Sequence, residues 1–355
     1  MPPERQPGPG WLERLWYEPA GGAALRAGRT LLRPLAGLYA LGRRHHRRGK
    51  PVDIGVPVIS VGNLTVGGNG KTPLVIDLAC RLGERGLRVA IVSRGYRRQG
   101  RGLLLAGGPG LPPAPPRQAG DEPALLVRRC PQAGVVVGAD RVAAARLAVA
   151  RFAPDLVLAD DAFQHRRLGR RLDVVAIHAR RGLGNGRLLP AGPLREPAEA
   201  LARADAVVFT YSGGEPAATL AARHGIDGDG PLLACDFEPA GFSRGNELET
   251  CPAPAGVVFV FAAVAWPQGL LDSCRRAGLQ VAGSRFRRDH HWWSRREIEG
   301  VLRSARRLGA RACVCTEKDL VKLDGLAGDL PVLALRLRTR WSVDPLERLD
   351  LPGVD

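Results

Sequence analysis

No run of this chain approaches the roughly 20 consecutive apolar residues that a membrane-spanning helix needs, so it offers no candidate spanning segment. The first residues are proline-rich and polar rather than basic and then apolar, and no secretory signal is expected. Cysteine is sparse. Seven are scattered at 80, 130, 235, 251, 274, 313 and 315, and an odd count without framework spacing argues for a reducing compartment. Cys313 and Cys315 lie in an alternating apolar run, a strand pattern that aims both thiols to one face. A metal site needs two further ligands nearby, so core packing is the reading. There is no internal repeat. Interleaved aromatic and basic residues on a recognisable nucleic-acid module are also missing, and no nucleic-acid partner is expected.

What is abundant is positive charge. The net charge is +17 over 355 residues, supplied mostly by Arg, which points to an anionic partner such as an acidic membrane surface or a phosphorylated substrate. Arg-rich coding of a GC-rich genome accounts for part of the excess, so charge alone does not choose the partner. The length suggests about two domains at ~150 residues each. Near the N-terminus, Trp11, Leu12, Leu15, Trp16 and Tyr17 precede a stretch in which Leu31, Leu32, Leu35, Leu38 and Tyr39 share one helical face, with Arg26, Arg29 and Arg33 opposite. Arg43-Arg44-His45-His46-Arg47-Arg48-Gly49-Lys50 follows. Such a segment suits a helix lying in a membrane interface, each basic side chain adding ~1 kcal/mol at anionic headgroups. It equally suits an amphipathic helix packed on its own domain. Pro34 interrupts the helix in either case.

The most informative segment runs from Val58 to Pro73: an apolar strand, then Thr65-Val66-Gly67-Gly68-Asn69-Gly70-Lys71-Thr72, then an apolar helix marked by Leu74, Val75, Leu78 and Leu82. Inward backbone N–H groups form an anion nest, Lys71 reaches β/γ-phosphates and the Thr72 hydroxyl ligates Mg²⁺. The usual pattern has Gly where Thr65 stands, so this is a variant phosphate loop, expected to hold ATP or GTP.

Short apolar runs at 88–93, 135–137, 156–160, 172–177 and 206–210 alternate with helical patterns such as 141–152. This predicts an α/β fold of the P-loop NTPase kind: a mainly parallel sheet with helices on both faces and ligands at the strand carboxyl ends. Residues 1–50 read as the basic N-terminal segment, 51–215 as the P-loop core, 216–255 as a linker and 256–355 as a smaller C-terminal α/β domain. Residues 98–118, rich in Gly and Pro, read as a mobile excursion. Asp160 and Asp161 end a buried strand, where P-loop proteins place an acidic Mg²⁺ partner. Gln164 and His165 continue that turn, either contacting substrate or simply solvated. Asp121 opens an apolar helical segment and is first an N-cap, second a general base. The cluster Arg285 to Trp293 holds His290 and His291, an acid/base partner or an exposed turn before a helix capped by Ser294. Asn185 to Glu196 reads as an active-site loop whose Arg195 and Glu196 meet phosphate and Mg²⁺ or pair with each other.

Together these stretches resemble the tetraacyldisaccharide 4′-kinase family, the lipid A 4′-kinases of Gram-negative bacteria. The resemblance runs from about Leu38 to about Lys322 through Ser93-Arg94-Gly95-Tyr96, Ala119-Gly120-Asp121-Glu122-Pro123, Asp160-Asp161 with Gln164-His165, Leu189 to Glu196, Asp289-His290-His291 and Thr316-Glu317-Lys318-Asp319. It implies transfer of the ATP γ-phosphoryl group to the 4′-hydroxyl of a tetraacyl glucosamine disaccharide 1-phosphate. It also implies Asp121 as general base aided by His290, and Lys71 with the loop amides on the phosphates. Thr72, Asp160, Asp161 and Glu196 are then the Mg²⁺ candidates, and Arg94, Arg141 and Arg195 neutralise phosphates. A peripheral or monotopic place on the cytoplasmic face of the inner membrane is expected. The alternative from the residues is another P-loop small-molecule kinase or ligase. Two departures stand out: Ala162 where the family often has Gly, and bulky Trp266 before Pro267.

Overall fold

The computed structural model describes residues 10–18, 22–46, 50–227, 230–245, 250–323 and 330–351, with only the backbone of 44–46. Most of the basic run 43–50 therefore lies outside the described side chains. In chain order the strands are β1 (Val58–Gly62), β2 (Val89–Ser93), β3 (Leu104–Gly107), β4 (Gly134–Val137), β5 (Leu156–Asp160), β6 (Leu172–His178), β7 (Ala206–Thr210), β8 (Leu232–Arg244), β9 (Val257–Ala262), β10 (Gln280–Phe286), β11 (Ala312–Thr316) and β12 (Val332–Trp341). The helices are α1 (Trp11–Tyr17), α2 (Ala23–Leu31), α3 (Arg33–His46), α4 (Lys71–Glu84), α5 (Pro116–Ala119), α6 (Asp121–Arg129), α7 (Arg141–Phe152), α8 (Ala217–His224), α9 (Pro267–Arg276), α10 (Arg295–Arg307), α11 (Glu317–Leu320) and α12 (Pro345–Arg348).

The chain divides into two compact units, one of Arg94–Ala139 with Phe237–Thr339, the other of the rest of the described chain. In the second unit, the nucleotide unit, the order β8–β7–β6–β1–β5–β2 is parallel throughout. Strands β1, β2, β5, β6 and β7 are buried along their whole length, as a parallel sheet covered on both faces requires. Strands β1 and β5 run side by side with Val61 opposite Asp160, so the phosphate loop and the acidic turn leave the sheet at the same edge.

In the other unit, β10–β9–β11–β12 forms a sheet in which the β10–β9, β9–β11 and β11–β12 pairs are parallel. Its core holds Phe259, Phe261, Trp293, Cys313 and Cys315 on one face. Burial pushes the Cys313 thiol up to about 12, a packing cysteine. The run at 135–137 is an edge exception to parallel pairing: β4 pairs antiparallel with β3. Thus the Gly/Pro-rich 98–118 stretch contains an ordered strand and the short α5, and the stretch read as a linker, 216–255, carries α8 and β8. Neither strand shows an unbroken pattern in the sequence: β3 is four residues set among Gly and Pro, and β8 is interrupted by Pro239 and Gly241. Trp266 is accommodated by Gly269, where a Cβ would lie 2.6 Å from the indole ring.

Helices α1 to α3 belong to the nucleotide unit. Leu15 is fully buried, Trp16 donates its indole N–H to the Pro190 carbonyl at 3.0 Å and the Tyr17 hydroxyl lies 3.5 Å from the Val66 carbonyl. Helix α2 stops at Leu31 and α3 begins at Arg33, just ahead of Pro34. The apolar face splits in two. Leu31, Leu35, Leu38 and Leu41 are exposed, at 76, 50, 65 and 62%. Leu32 and Tyr39 are turned inward instead, with the Tyr39 hydroxyl on the Arg195 carbonyl at 3.3 Å. The single stripe expected from the sequence is therefore one wet ridge and one packed ridge.

Candidate active site

The phosphate loop follows from its residues. Gly70 adopts φ 70°, a left-handed conformation that glycine takes without penalty, and caps α4 so that Lys71 is its first residue. The free N–H groups of α4's first turn thereby face the loop. Thr65, at the nonstandard position, is buried; its hydroxyl accepts from the Asn69 side-chain amide at 2.8 Å, and its carbonyl accepts from Asn69 at 3.3 Å and from the Asn63 amide. Thr210 donates to the Asn69 carbonyl at 3.2 Å. The loop is thus braced by side chains where the common pattern relies on glycine.

Lys71 Nζ lies 3.3 Å from Asp161 Oδ1, and Arg195 donates to both Asp161 oxygens at 3.0 and 2.8 Å. Burial would raise the Asp161 carboxyl, yet the Lys71 and Arg195 charges outweigh it and hold it well below the usual carboxylate range. Asp160 is buried and accepts from the Ser93 hydroxyl at 2.9 Å. Of the expected metal ligands, Thr72 and Asp160 stand at the ends of neighbouring elements, α4 and β5. Glu196 is placed otherwise: it is fully buried and its two oxygens are taken by Arg43 and Arg203. Asp161 too is occupied, as the anchor of two cations. No group of three or more His, Cys, Asp or Glu among the described residues forms a metal cage. A hydroxyl and a carboxylate, both hard oxygen donors, nonetheless fit Mg²⁺, which takes one or two protein carboxylates and fills its octahedron with phosphates and water.

The remaining candidates separate by position. Gln164 donates to the Asn63 carbonyl at 2.7 Å and braces the loop's base; His165 is partly exposed in the same turn. Arg141 is buried as the first residue of α7, behind the Asp140 N-cap. Arg94 is exposed.

A second cluster of carboxylates, histidine and lysines is built in the other unit. Gly120, not Asp121, is the N-cap of α6, and Asp121 opens the helix with its carboxylate buried. His290, held at φ 62°, places Nδ1 3.0 Å from both Asp121 oxygens. An ionised Asp121 only accepts, so Nδ1 carries the proton and Nε2 is left with its lone pair. Lys318 Nζ sits 3.4 Å from that Nε2, 3.0 Å from Asp289 Oδ1, 3.4 Å from Glu122 and 3.8 Å from Asp121. Lys322, fully buried, lies 3.8 Å from Asp121 and 2.9 Å from Asp319. Asp319 also accepts from the Ala263 N–H, the Trp293 indole and the Thr316 hydroxyl. Burial opposes ionisation of Asp121, but the His290 hydrogen bond and the Lys318 and Lys322 charges bring its carboxyl down to about 2. His291 turns elsewhere, its Nε2 on Glu297 at 3.0 Å. The sequence marks Lys318 and Asp319 only as part of the Thr316-Glu317-Lys318-Asp319 motif, and Lys322 only as the approximate end of the family resemblance.

These arrangements have close counterparts. The family described as LpxK, tetraacyldisaccharide-1-P 4′-kinase, matches residues 28–350. A tetraacyldisaccharide 4′-kinase of Anaeromyxobacter dehalogenans is 38% identical, covering 95% of this chain and 93% of its own. One from Geobacter sulfurreducens is 38% identical over 94% and 95%. The crystal structure of LpxK from Aquifex aeolicus in complex with ATP matches with a TM-score of 0.72 and 31% identity, over 88% of this chain and 95% of that one. On the strength of a match spanning both units, this chain belongs to the tetraacyldisaccharide-1-P 4′-kinase family.

Proposed function

We infer that the chain is an ATP-dependent kinase that phosphorylates the 4′-hydroxyl of a tetraacyl glucosamine disaccharide 1-phosphate, a step of lipid A biosynthesis. The observation that carries this is the family match over residues 28–350. The geometry supports a division of labour. Lys71 and the N–H groups at the start of α4 bind the β/γ-phosphates, and Asp161, itself anchored by Arg195, holds Lys71 in place. Mg²⁺, held by Thr72 and Asp160, supplies charge neutralisation on the phosphates. In the other unit, Asp121 and His290 form the pair that receives the proton of the attacking hydroxyl, kept ionised by Lys318 and Lys322. Phosphoryl transfer needs alignment and charge stabilisation above all, and a sugar hydroxyl additionally needs a base.

The acceptor is a lipid, and the exposed ridge Leu31, Leu35, Leu38 and Leu41 supports docking of α2 and α3 at an anionic membrane surface. No helix of the described residues is long and apolar enough to cross a membrane, in keeping with a peripheral place on the inner membrane's cytoplasmic face. The test is direct: purified protein, labelled ATP, Mg²⁺ and the acylated disaccharide 1-phosphate in detergent. A 4′-phosphorylated product is expected, and Lys71→Ala abolishes it. Failure to form product where a relative is active overturns the assignment, and phosphorylation of a soluble sugar alone would favour another small-molecule kinase.

A further inference from the structure

Where the end of β10 meets α10 there is a depression of about 410 Å³ lined by five arginines, Arg285, Arg287, Arg296, Arg303 and Arg307, and one carboxylate, Glu297. It plays no part in the chemistry above. Positions 296, 300, 303 and 307 follow helical spacing, so α10 turns one face to the depression, with Gly300 at its centre. Glycine inside a helix lowers its stability. Here it makes room: a Cβ at 300 would stand 2.9 Å from Arg285 Nη1. Arg285 is further fixed by donating to the Ser304 hydroxyl at 3.0 Å, and that hydroxyl donates to the Gly300 carbonyl at 3.0 Å. Glu297 is already committed, to Arg287 at 3.0 Å, to His291 and to the N-terminal cap of α10. Among the described residues, Arg285, Arg296, Arg303 and Arg307 have no carboxylate partner. A concavity holding four uncompensated guanidiniums, one of them locked in position, is suited to an anion. Guanidinium forks match the oxygens of phosphate in pairs.

We propose that this depression is a second phosphate-binding site, one that takes the phosphate of a phosphomonoester. The inference stands independently of the acceptor assigned above. Its test uses the full chain with the nucleotide loop occupied by a non-hydrolysable ATP analogue and Mg²⁺. The parent is compared with Arg303→Glu/Arg307→Glu and with Arg295→Glu/Arg306→Glu, which makes the same charge change on exposed positions of α10 outside the depression. Circular dichroism checks that each variant is folded. Inorganic phosphate is titrated calorimetrically, and vesicles of phosphatidylcholine with or without phosphatidate are sedimented with the protein. Affinity about tenfold weaker in the first variant and unchanged in the second is expected, since each charge-assisted bond contributes on that scale. If the loss appears with free phosphate, the ligand is soluble; if it appears only with phosphatidate vesicles, the ligand is a headgroup. Equal loss in both variants, or none in either, overturns the proposal.

Discussion

Replacing Asp121 by Asn keeps the size of the side chain and removes the charge and one of the two acceptor oxygens that face His290. Two consequences follow from the geometry. Asn keeps one acceptor oxygen, to which the His290 Nδ1 N–H can still donate, but it carries no charge to stabilise the imidazolium formed when Nε2 takes the hydroxyl proton. Turnover should fall by about 10²–10⁴, the usual contribution of a general base, with little change in KM for ATP. The second consequence is thermodynamic. Asp121's carboxyl titrates at about 2 rather than 3.8, and at 1.36 kcal/mol per unit the folded chain gains about 2 kcal/mol from its ionised form at neutral pH. Because the folded carboxyl titrates lower, the folded state binds fewer protons between those values. Stability from this group is therefore full above about pH 4 and lost as pH falls through about 2. Urea unfolding followed by tryptophan fluorescence should show the variant less stable by about 2 kcal/mol, constant from neutral pH down to about 5 and shrinking below 4. Unchanged turnover removes Asp121 from the base role, and a stability gap independent of pH refutes the electrostatic account.

Thr65→Val keeps the loop's volume but deletes the hydroxyl that accepts from Asn69; KM for ATP should rise about fivefold or more, a loss of ~1 kcal/mol, while a KM equal to the parent's means the brace is incidental. Asp319→Ala strands the Trp293 indole, the Ala263 N–H and the Lys322 ammonium, and should destabilise the unit that holds Asp121 and His290 by about 3–5 kcal/mol in denaturant titrations. Leu35→Ser with Leu38→Ser alters only the exposed ridge, so sedimentation with anionic vesicles should drop while turnover on detergent-dispersed acceptor stays level.

The nucleotide unit was legible because every cue in it is local: buried strands read as unbroken apolar runs, and the loop, its lysine and the acidic turn each follow one of them directly. The unit holding Asp121 and His290 was harder to read, since the two are 169 positions apart and neither carries a local mark of function; only the family resemblance raised Asp121 above an N-cap, and in the structure Gly120 holds that place. Glu196 was misjudged for the opposite reason. It follows Arg195 in the chain, but its partners, Arg43 and Arg203, come from a distant helix and a nearby turn, and no pattern of spacing announces that pairing. Strands β3, β8, β10 and β12 were missed where glycine, proline or charge breaks alternation and neighbouring strands decide the matter.

Helix α1 closes on the loop it precedes: Leu15 fills the core, Trp16 holds Pro190, and Tyr17 reaches Val66 of the phosphate loop. The N-terminal segment is consequently not a detachable mooring. Arg29 of α2 donates to the Leu15 carbonyl of α1 at 2.8 Å, so a disturbance of α2 reaches the nucleotide loop by way of α1, and trimming this segment for solubility would loosen the grip on ATP as well.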